Sequence, residues 1–354
     1  MSSQKPPESI CILRLSAIGD TCHVLAIVRS IQDTWPDTKI TWIIGRVEAM
    51  LLGHIPGIEF IIFNKSAGVS EYRRLRSKLK NRRFDVLLHM QVAFRANLAS
   101  ATISADRRIG YDHARAKDLH GLFINDRIPA VDEQHVLDGL RSFVTLLGVP
   151  STTPRWDIPL TSEELAYAKQ QVDPQRLTLC ISPVSSHRFR NWRIDGYAKV
   201  ADHAANRHDM QVILTGGRGE FEVEFNAAVA AAMQTEVMNL TGKDTLTRLA
   251  ALLGRCDLLL SPDTGPMHIA TAMGTDVLGL HAASNPRRSG PYNSLQWCVD
   301  QYDAAARKYL KRSASEIRWG TKIEEDGVMD LITVEQVIDK LDAWVAQYPG
   351  PKSA

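Results

Sequence analysis

Four short segments carry residues whose types and spacing could do chemistry. In Ser16-Ala17-Ile18-Gly19-Asp20, Gly19 permits a tight turn with room for a ligand against the backbone. Asp20 stands near the start of a helix, where a carboxylate can cap backbone N–H groups or take a proton from a hydroxyl nucleophile. In Ser182–Trp192 (SPVSSHRFRNW), Ser185, Ser186 and Arg190 gather hydroxyl, amide and guanidinium donors. The fork of an arginine suits phosphate oxygens, and a solvated basic loop is the plainer alternative. In Thr215–Glu220 (TGGRGE), Gly216 and Gly217 would let a ligand approach the backbone, and Glu220 could accept from ribose hydroxyls. A simple tight turn explains the same glycines.

The fourth segment, Ser261–Ala270 (SPDTGPMHIA), is the most informative. A strand leads into Asp263-Thr264-Gly265, and a helix follows with Pro266 in its first turn, where no N–H is required. Amides at that N-terminus, with the helix dipole behind them, favour an anion. A diphosphate over Thr264 and Gly265, beside Met267 and His268, is the preferred reading. Asp263 as a cap and His268 as a core histidine are the alternatives.

All four segments follow apolar, β-rich runs. Strands are expected at Ile10–Leu15, Ile40–Ile44, Glu59–Phe63 and Phe84–His89, and again at Leu177–Ile181, Met210–Leu214, Cys256–Leu260 and Asp276–Leu280. Helical stretches separate them, from about Cys22 to Thr34 and lastly over Glu335–Gln347. The alternation predicts an α/β fold with parallel sheets, whose ligands bind beyond the carboxyl ends of the strands. The proline-rich Gly148–Pro159 marks a boundary between domains 1–153 and 154–354. GxGxxG is absent from the first turn, which argues against a dinucleotide there.

With 354 residues, 44% hydrophobic and 23% charged, the chain is an ordinary globular one, long enough for two domains. Lys+Arg of 42 against Asp+Glu of 40 gives net charge +2, too balanced for a dedicated nucleic-acid binder. Five scattered cysteines without a CxxC pair read as reduced, mostly buried thiols of a cytoplasmic protein; no metal site is expected. The polar start MSSQKPPES predicts no secretory signal, and no window approaches the length of a membrane span. Between Glu71 and Arg83 lie seven basic residues, among them Arg73 and Arg74, and Arg95 extends the same sign. Such a helix is either simply solvated or faces anionic headgroups and phosphates.

Together, ILRLSAIGD (Ile12–Asp20), SSHRFRNW (Ser185–Trp192), LTGGRGE (Leu214–Glu220), SPDTGPMHIATAMG (Ser261–Gly274) and NPRRSGP (Asn285–Pro291) resemble glycosyltransferase family 9, the heptosyltransferases of lipopolysaccharide inner-core assembly. The resemblance implies a GT-B architecture, two Rossmann-like parallel-sheet domains facing a central cleft. The N-terminal domain would hold the acceptor, Kdo-lipid A or a heptosylated core. The C-terminal domain would hold the donor, ADP-L-glycero-D-manno-heptose. Transfer would invert the anomeric centre without metal or cofactor, at the inner face of the cytoplasmic membrane, which the protein would touch peripherally. By position, Asp20 would be the catalytic base. Ser185, Ser186, Arg190, Gly216, Gly217, Glu220, Asp263, Thr264, Gly265, Pro266, Met267 and His268 would serve the donor, and Gly19, Arg73, Arg74 and Arg95 the acceptor. Arg190 stands where the family often has lysine. Ala26 replaces a frequent proline, and Val92–Ala96 departs from a Gly-Leu-x-Lys-Ser-like stretch; both changes bear on the acceptor. A family member with other sugars, a GT-B sugar-nucleotide epimerase and a silent sugar-nucleotide or glycolipid binder are the alternatives.

Overall fold

The computed structural model describes residues 5–348 and 350; the first four residues of the polar start lie outside this range. The chain divides into two compact units, Met1–Pro159 and Leu160–Ala354. Residues 154–159, expected in the second domain, thus belong to the first. The reason is local bonding. Trp156 Nε1 donates to the Cys22 carbonyl at 2.9 Å, Arg29 Nε donates to the Trp156 carbonyl at 2.9 Å, and Arg155 pairs with Asp33.

The first unit is a six-stranded parallel sheet of β1 (Ser9–Leu13), β2 (Lys39–Gly45), β3 (Ile58–Phe63), β4 (Phe84–His89), β5 (Ala105–Gly110) and β6 (Asp126–Arg127), in the order β3-β2-β1-β4-β5-β6. Ile10 to Leu13 are fully buried, as expected of a central parallel strand covered on both faces. The strand order reverses between β1 and β4, where Leu13 lies opposite His89. This switch point is where open α/β sheets bind ligands. The helix after β1 spans Ile18–Thr34, so Gly19 and Asp20 lie inside its first turn, ahead of the expected start near Cys22.

The second unit repeats the plan with β7 (Thr178–Ile181), β8 (Gln211–Leu214), β9 (Met238–Asn239), β10 (Leu258–Pro262), β11 (Asp276–His281) and β12 (Val299–Asp300), in the order β12-β11-β10-β7-β8-β9. Its switch point lies between β7 and β10, whose ends carry the Ser182–Trp192 and Asp263–His268 segments. Trp192, Tyr197 and Trp344 anchor the core. The closing helix Val334–Gln347 starts on a Thr333 capping box and ties back through Trp344 Nε1, which donates to Asp276 at 2.9 Å. All five cysteines are buried free thiols. Among the described residues, no helix is long and apolar enough to cross a membrane.

Candidate active site

In the first unit, the turn beyond β1 is built around Arg14. Its Nε donates to the Ser16 carbonyl at 2.7 Å, another nitrogen donates to the Met90 carbonyl, and the guanidinium forms an ion pair with Asp20. Gln91, just beyond β4, completes the frame: Leu15 N–H donates to its Oε1 at 2.7 Å, and its Nε2 donates to Ser16 Oγ at 3.2 Å. The Ser16–Ala17 peptide is cis. Asp20 does cap a backbone N–H, but from inside the helix and not as its N-cap residue. It stands at the third helical position, where Ala17 N–H donates to its Oδ2 at 3.3 Å, and its side chain remains one-third exposed. The turn thus presents a carboxylate at the switch-point mouth. Arg14 went unmarked in the sequence; its one signal is a charge inside the apolar run ICILRL.

Beside this turn opens a cavity of about 480 Å³, lined by Leu15, Ser16, Lys65, Tyr72, Gln91 and Arg95 among others. Arg95 therefore does line a pocket. Gly19 is buried within the helix start. Arg74 does not face the pocket as a free cation. Its Nε donates to Glu71 at 2.8 Å, and the same guanidinium bonds the Ile62 carbonyl. The Glu71 carboxyl is accordingly held below its usual range, chiefly by the Arg74 hydrogen bond. Arg82 is likewise bidentate to Glu59, and Arg83 pairs with Asp106. Arg73 and, further on, Arg76, Lys78 and Lys80 remain exposed, with no ion pair among the described residues.

In the second unit, Asp263 is the hub. Arg190 Nη1 donates to its main-chain carbonyl at 3.0 Å and lies 3.2 Å from its Oδ2; Ser289 Oγ donates to Oδ2 at 3.3 Å; His268 Nε2 stands 3.8 Å from Oδ1. Burial opposes ionisation of this carboxyl, but the His268 contact and the charges of Arg190 and His281 outweigh it. Asp263 is held well below the usual carboxylate range. His281, at the end of β11, is driven down to about 4, mainly by burial, against the pull of Asp263. Lys322 and His187 join the cluster. Burial and the Arg190 charge depress both, while Asp263 and Glu324 oppose. Lys322 and His281 went unmarked, because they reach the hub from other parts of the chain; Ser289 belongs to the NPRRSGP segment, though no role was given to it.

The surrounding positions sort by exposure. Thr264 is the N-cap residue of the helix Gly265–Ala272, yet its side chain makes no cap bond; it meets Ser261 Oγ at 2.9 Å. The Thr264 side chain therefore leaves the amides of that helix N-terminus uncapped. Pro266 occupies the first turn. The Met267 side chain is fully buried and belongs to the core, so only its backbone can serve a ligand. Ser185 is buried and its Oγ accepts from His187 N–H at 3.2 Å; Ser186 is exposed. In the glycine turn, Gly217 N–H donates to Glu222, while Glu220 opens the next helix, exposed. Glu222 thus holds the Gly217 amide. A side chain at Gly216 would strike Asn226 Nδ2 at 2.8 Å.

Two Rossmann-like units, each with polar groups at its switch point, are the architecture of the GT-B class. The chain belongs to glycosyltransferase family 9 (heptosyltransferase), whose model matches residues 72–319. It is 42% identical over 335 residues, 95% of this chain and 96% of the relative, to the lipopolysaccharide core heptosyltransferase OpsX of Haemophilus influenzae. In structure it is similar to a family 9 glycosyl transferase from Veillonella parvula, with a TM-score of 0.78 at 20% identity, covering 96% of this chain and 98% of that one. It is also similar to E. coli heptosyltransferase WaaC with ADP-2-deoxy-2-fluoro heptose, with a TM-score of 0.65 at 18% identity, covering 86% and 99%. The protein is a glycosyltransferase.

Proposed function

We propose that the protein transfers heptose from ADP-L-glycero-D-manno-heptose to the lipopolysaccharide inner core, on Kdo-lipid A or a heptosylated core, with inversion and with Asp20 as general base. The observation that carries this reading is the Asp20 carboxylate, aimed by Arg14 and open to solvent at the mouth of the first sheet. An acceptor hydroxyl oxygen attacks the anomeric carbon as its proton passes to Asp20. The bond from that carbon to the diphosphate breaks, and ADP leaves with the electron pair. An oxocarbenium-like transition state is expected, as in glycoside chemistry. Stabilising the departing charge falls to the helix amides after Thr264 and to Arg190, with Lys322 close by. Asp263 acts on the donor through Arg190, which it orients.

The name of the Haemophilus relative supports the lipopolysaccharide core as acceptor, and the sugar nucleotide on the E. coli neighbour supports the donor. The first unit would receive the acceptor. Its exposed Arg73, Arg76, Arg95 and Lys78 suit acceptor phosphates and carboxylates, and the exposed Val69 and Phe94 beside them suit a lipid surface. Peripheral contact with the inner face of the cytoplasmic membrane belongs to the same proposal.

The test is a transfer assay read by mass spectrometry, with ADP-heptose and either Kdo2-lipid A or singly heptosylated core. One added heptose on one of the two acceptors is expected and names the step. Bound ADP-heptose with no product on either would refute the acceptor assignment. Transfer from a hexose donor in preference would refute the donor.

A further inference from the structure

On the second unit, His203 and His208 both direct Nε2 at a single oxygen of Asp342, at 2.7 Å and 2.6 Å. The histidines belong to the helix Ile194–His208, and Asp342 to the closing helix Val334–Gln347. The three ligand atoms lie within 4.8 Å of one another. From these facts we infer that His203, His208 and Asp342 form a binding site for a divalent transition-metal ion, zinc in the first instance, which clasps the closing helix to its neighbour.

The chemistry favours such an ion. Two imidazoles and one carboxylate are a recurrent protein set for zinc, with a remaining position for water. Mixed nitrogen and oxygen donors select against calcium and magnesium, which prefer oxygen alone. Side-chain exposures of 24%, 17% and 44% leave the group reachable from solvent. Ligands about 2.0–2.2 Å from a tetrahedral zinc stand roughly 3.4 Å apart. The two Nε2–carboxylate distances must lengthen by somewhat under an ångström, and the two histidine nitrogens, within 4.8 Å of each other, must settle to the same spacing. Without the ion, both Nε2 atoms carry protons and donate to Asp342. With it, the Nε2 lone pairs bind the metal and the ring protons reside on Nδ1.

The position adds a second argument. His208 is the last residue of its helix, where Asp209 turns left-handed (φ 50°). The carbonyls of a helix's last turn and the negative end of its dipole favour a cation. In a parallel sheet the helices run against the strands. The C-terminus of this 15-residue helix, about 22 Å long, therefore lies at the edge of the sheet opposite the Asp263 hub. The ion would have no part in transfer. Its work would be structural, fastening a helix whose Trp344 already anchors to Asp276. The spacing of five between the histidines is not a recognised ligand motif, and the second half of the site comes from residue 342, so only the fold brings the set together.

The experiment is a titration of the full-length, chelator-treated protein with zinc chloride in a non-coordinating buffer. It is repeated with His203→Gln, His208→Gln and Asp342→Asn, and circular dichroism confirms that each variant folds. One saturable equivalent is expected, with a rise in Tm. Each variant should weaken binding by more than about tenfold, the loss that removing even an outer-shell partner can cause. Cobalt(II) should give a visible d–d spectrum in the wild type that folded Asp342→Asn lacks. Absence of saturable zinc binding by the wild type would overturn the inference. So would binding of equal affinity in folded His203→Gln and His208→Gln.

Discussion

Arg14 and Asp20 form an ion pair across the turn that leaves the central strand of the first sheet, and the same arginine holds the carbonyls of Ser16 and Met90. One side chain thus joins β1, the end of β4 and the first turn of the helix Ile18–Thr34. The position of the Asp20 carboxylate is a property of this brace and not of the helix alone.

Arg14→Met is therefore expected to lower both stability and turnover. The Arg14 side chain is only 11% exposed, and its loss strands carbonyl groups that it satisfied. A cost of about 1–3 kcal/mol is expected, together with a lower kcat at little change in donor affinity. Urea denaturation and steady-state kinetics check this. Full activity in Arg14→Met would show that Asp20 needs no brace.

Breaking the buried pair in the second unit should cost more. Arg190→Ala leaves the Asp263 carboxylate buried without its cation, a change that typically destabilises by about 3–5 kcal/mol. Arg190 and Asp263 side chains are 13% and 9% exposed, so water can replace little of the loss. Arg190→Lys keeps the charge without the fork and should retain more stability than Arg190→Ala, while binding ADP more weakly than the wild type. Denaturant midpoints and ADP titration test the pair; an unchanged midpoint in Arg190→Ala would contradict it.

Acid should destabilise the first unit before most carboxylates titrate. His89 Nε2 and His120 Nδ1 share the side-chain amide oxygen Oδ1 of Asn97, at 2.9 Å and 3.1 Å, and His120 Nε2 accepts from Tyr111 N–H at 3.1 Å. Burial drives His89 down to about 3 and His120 to about 4. Their folded values lie below the unfolded value of about 6.5. The unfolded chain therefore binds more protons in between, so stability rises with pH and is lost as the pH falls. The contribution is complete above about pH 6.5 and is lost down to about pH 4 for His120 and about pH 3 for His89, roughly 2 kcal/mol per histidine having gone by pH 5. Tm measured from pH 7.5 to 5 should drop steeply, and His89→Gln should flatten the slope. A Tm independent of pH over that range would refute this account.

Charge at the edge of the first unit should govern attachment to anionic bilayers. Arg73, Arg76, Lys78 and Lys80 have no ion pair among the described residues, while Arg74, Arg82 and Arg83 are consumed by Glu71, Glu59 and Asp106. Replacing Arg73 and Arg76 with alanine should weaken vesicle binding by about 1 kcal/mol each. Replacing Arg83 should change little. Co-sedimentation with phosphatidylglycerol vesicles distinguishes these outcomes, and equal effects would show that net charge alone matters.

The strands legible in the sequence were those with unbroken apolar runs, such as ICIL of β1 and TLCI of β7. β5 was not, because Asp106, Arg107 and Arg108 interrupt it. Those charges are accommodated by Arg83, Asp126 and the carbonyls of Ser100 and Ile103. The short β6, β9 and β12 have too few residues to show a period. In the site, segments that follow strands were readable, since each side chain is placed by its own turn. Partners drawn from elsewhere were not. Lys322 and His281 meet Asp263 only through the fold, whereas the Glu71–Arg74 pair, three residues apart on one helix, and the Glu222–Gly217 contact are local and were passed over.

The most direct test of the central claim is the turnover of Asp20→Asn, measured with ADP-heptose and the accepted core glycolipid, while donor affinity is followed by calorimetry. Asparagine preserves the shape of the side chain but cannot take the proton. A fall in kcat of about 100- to 10,000-fold with unchanged donor affinity is predicted, the contribution usual for a general base. Turnover within a few-fold of the wild type would contradict the assignment of Asp20 as the base.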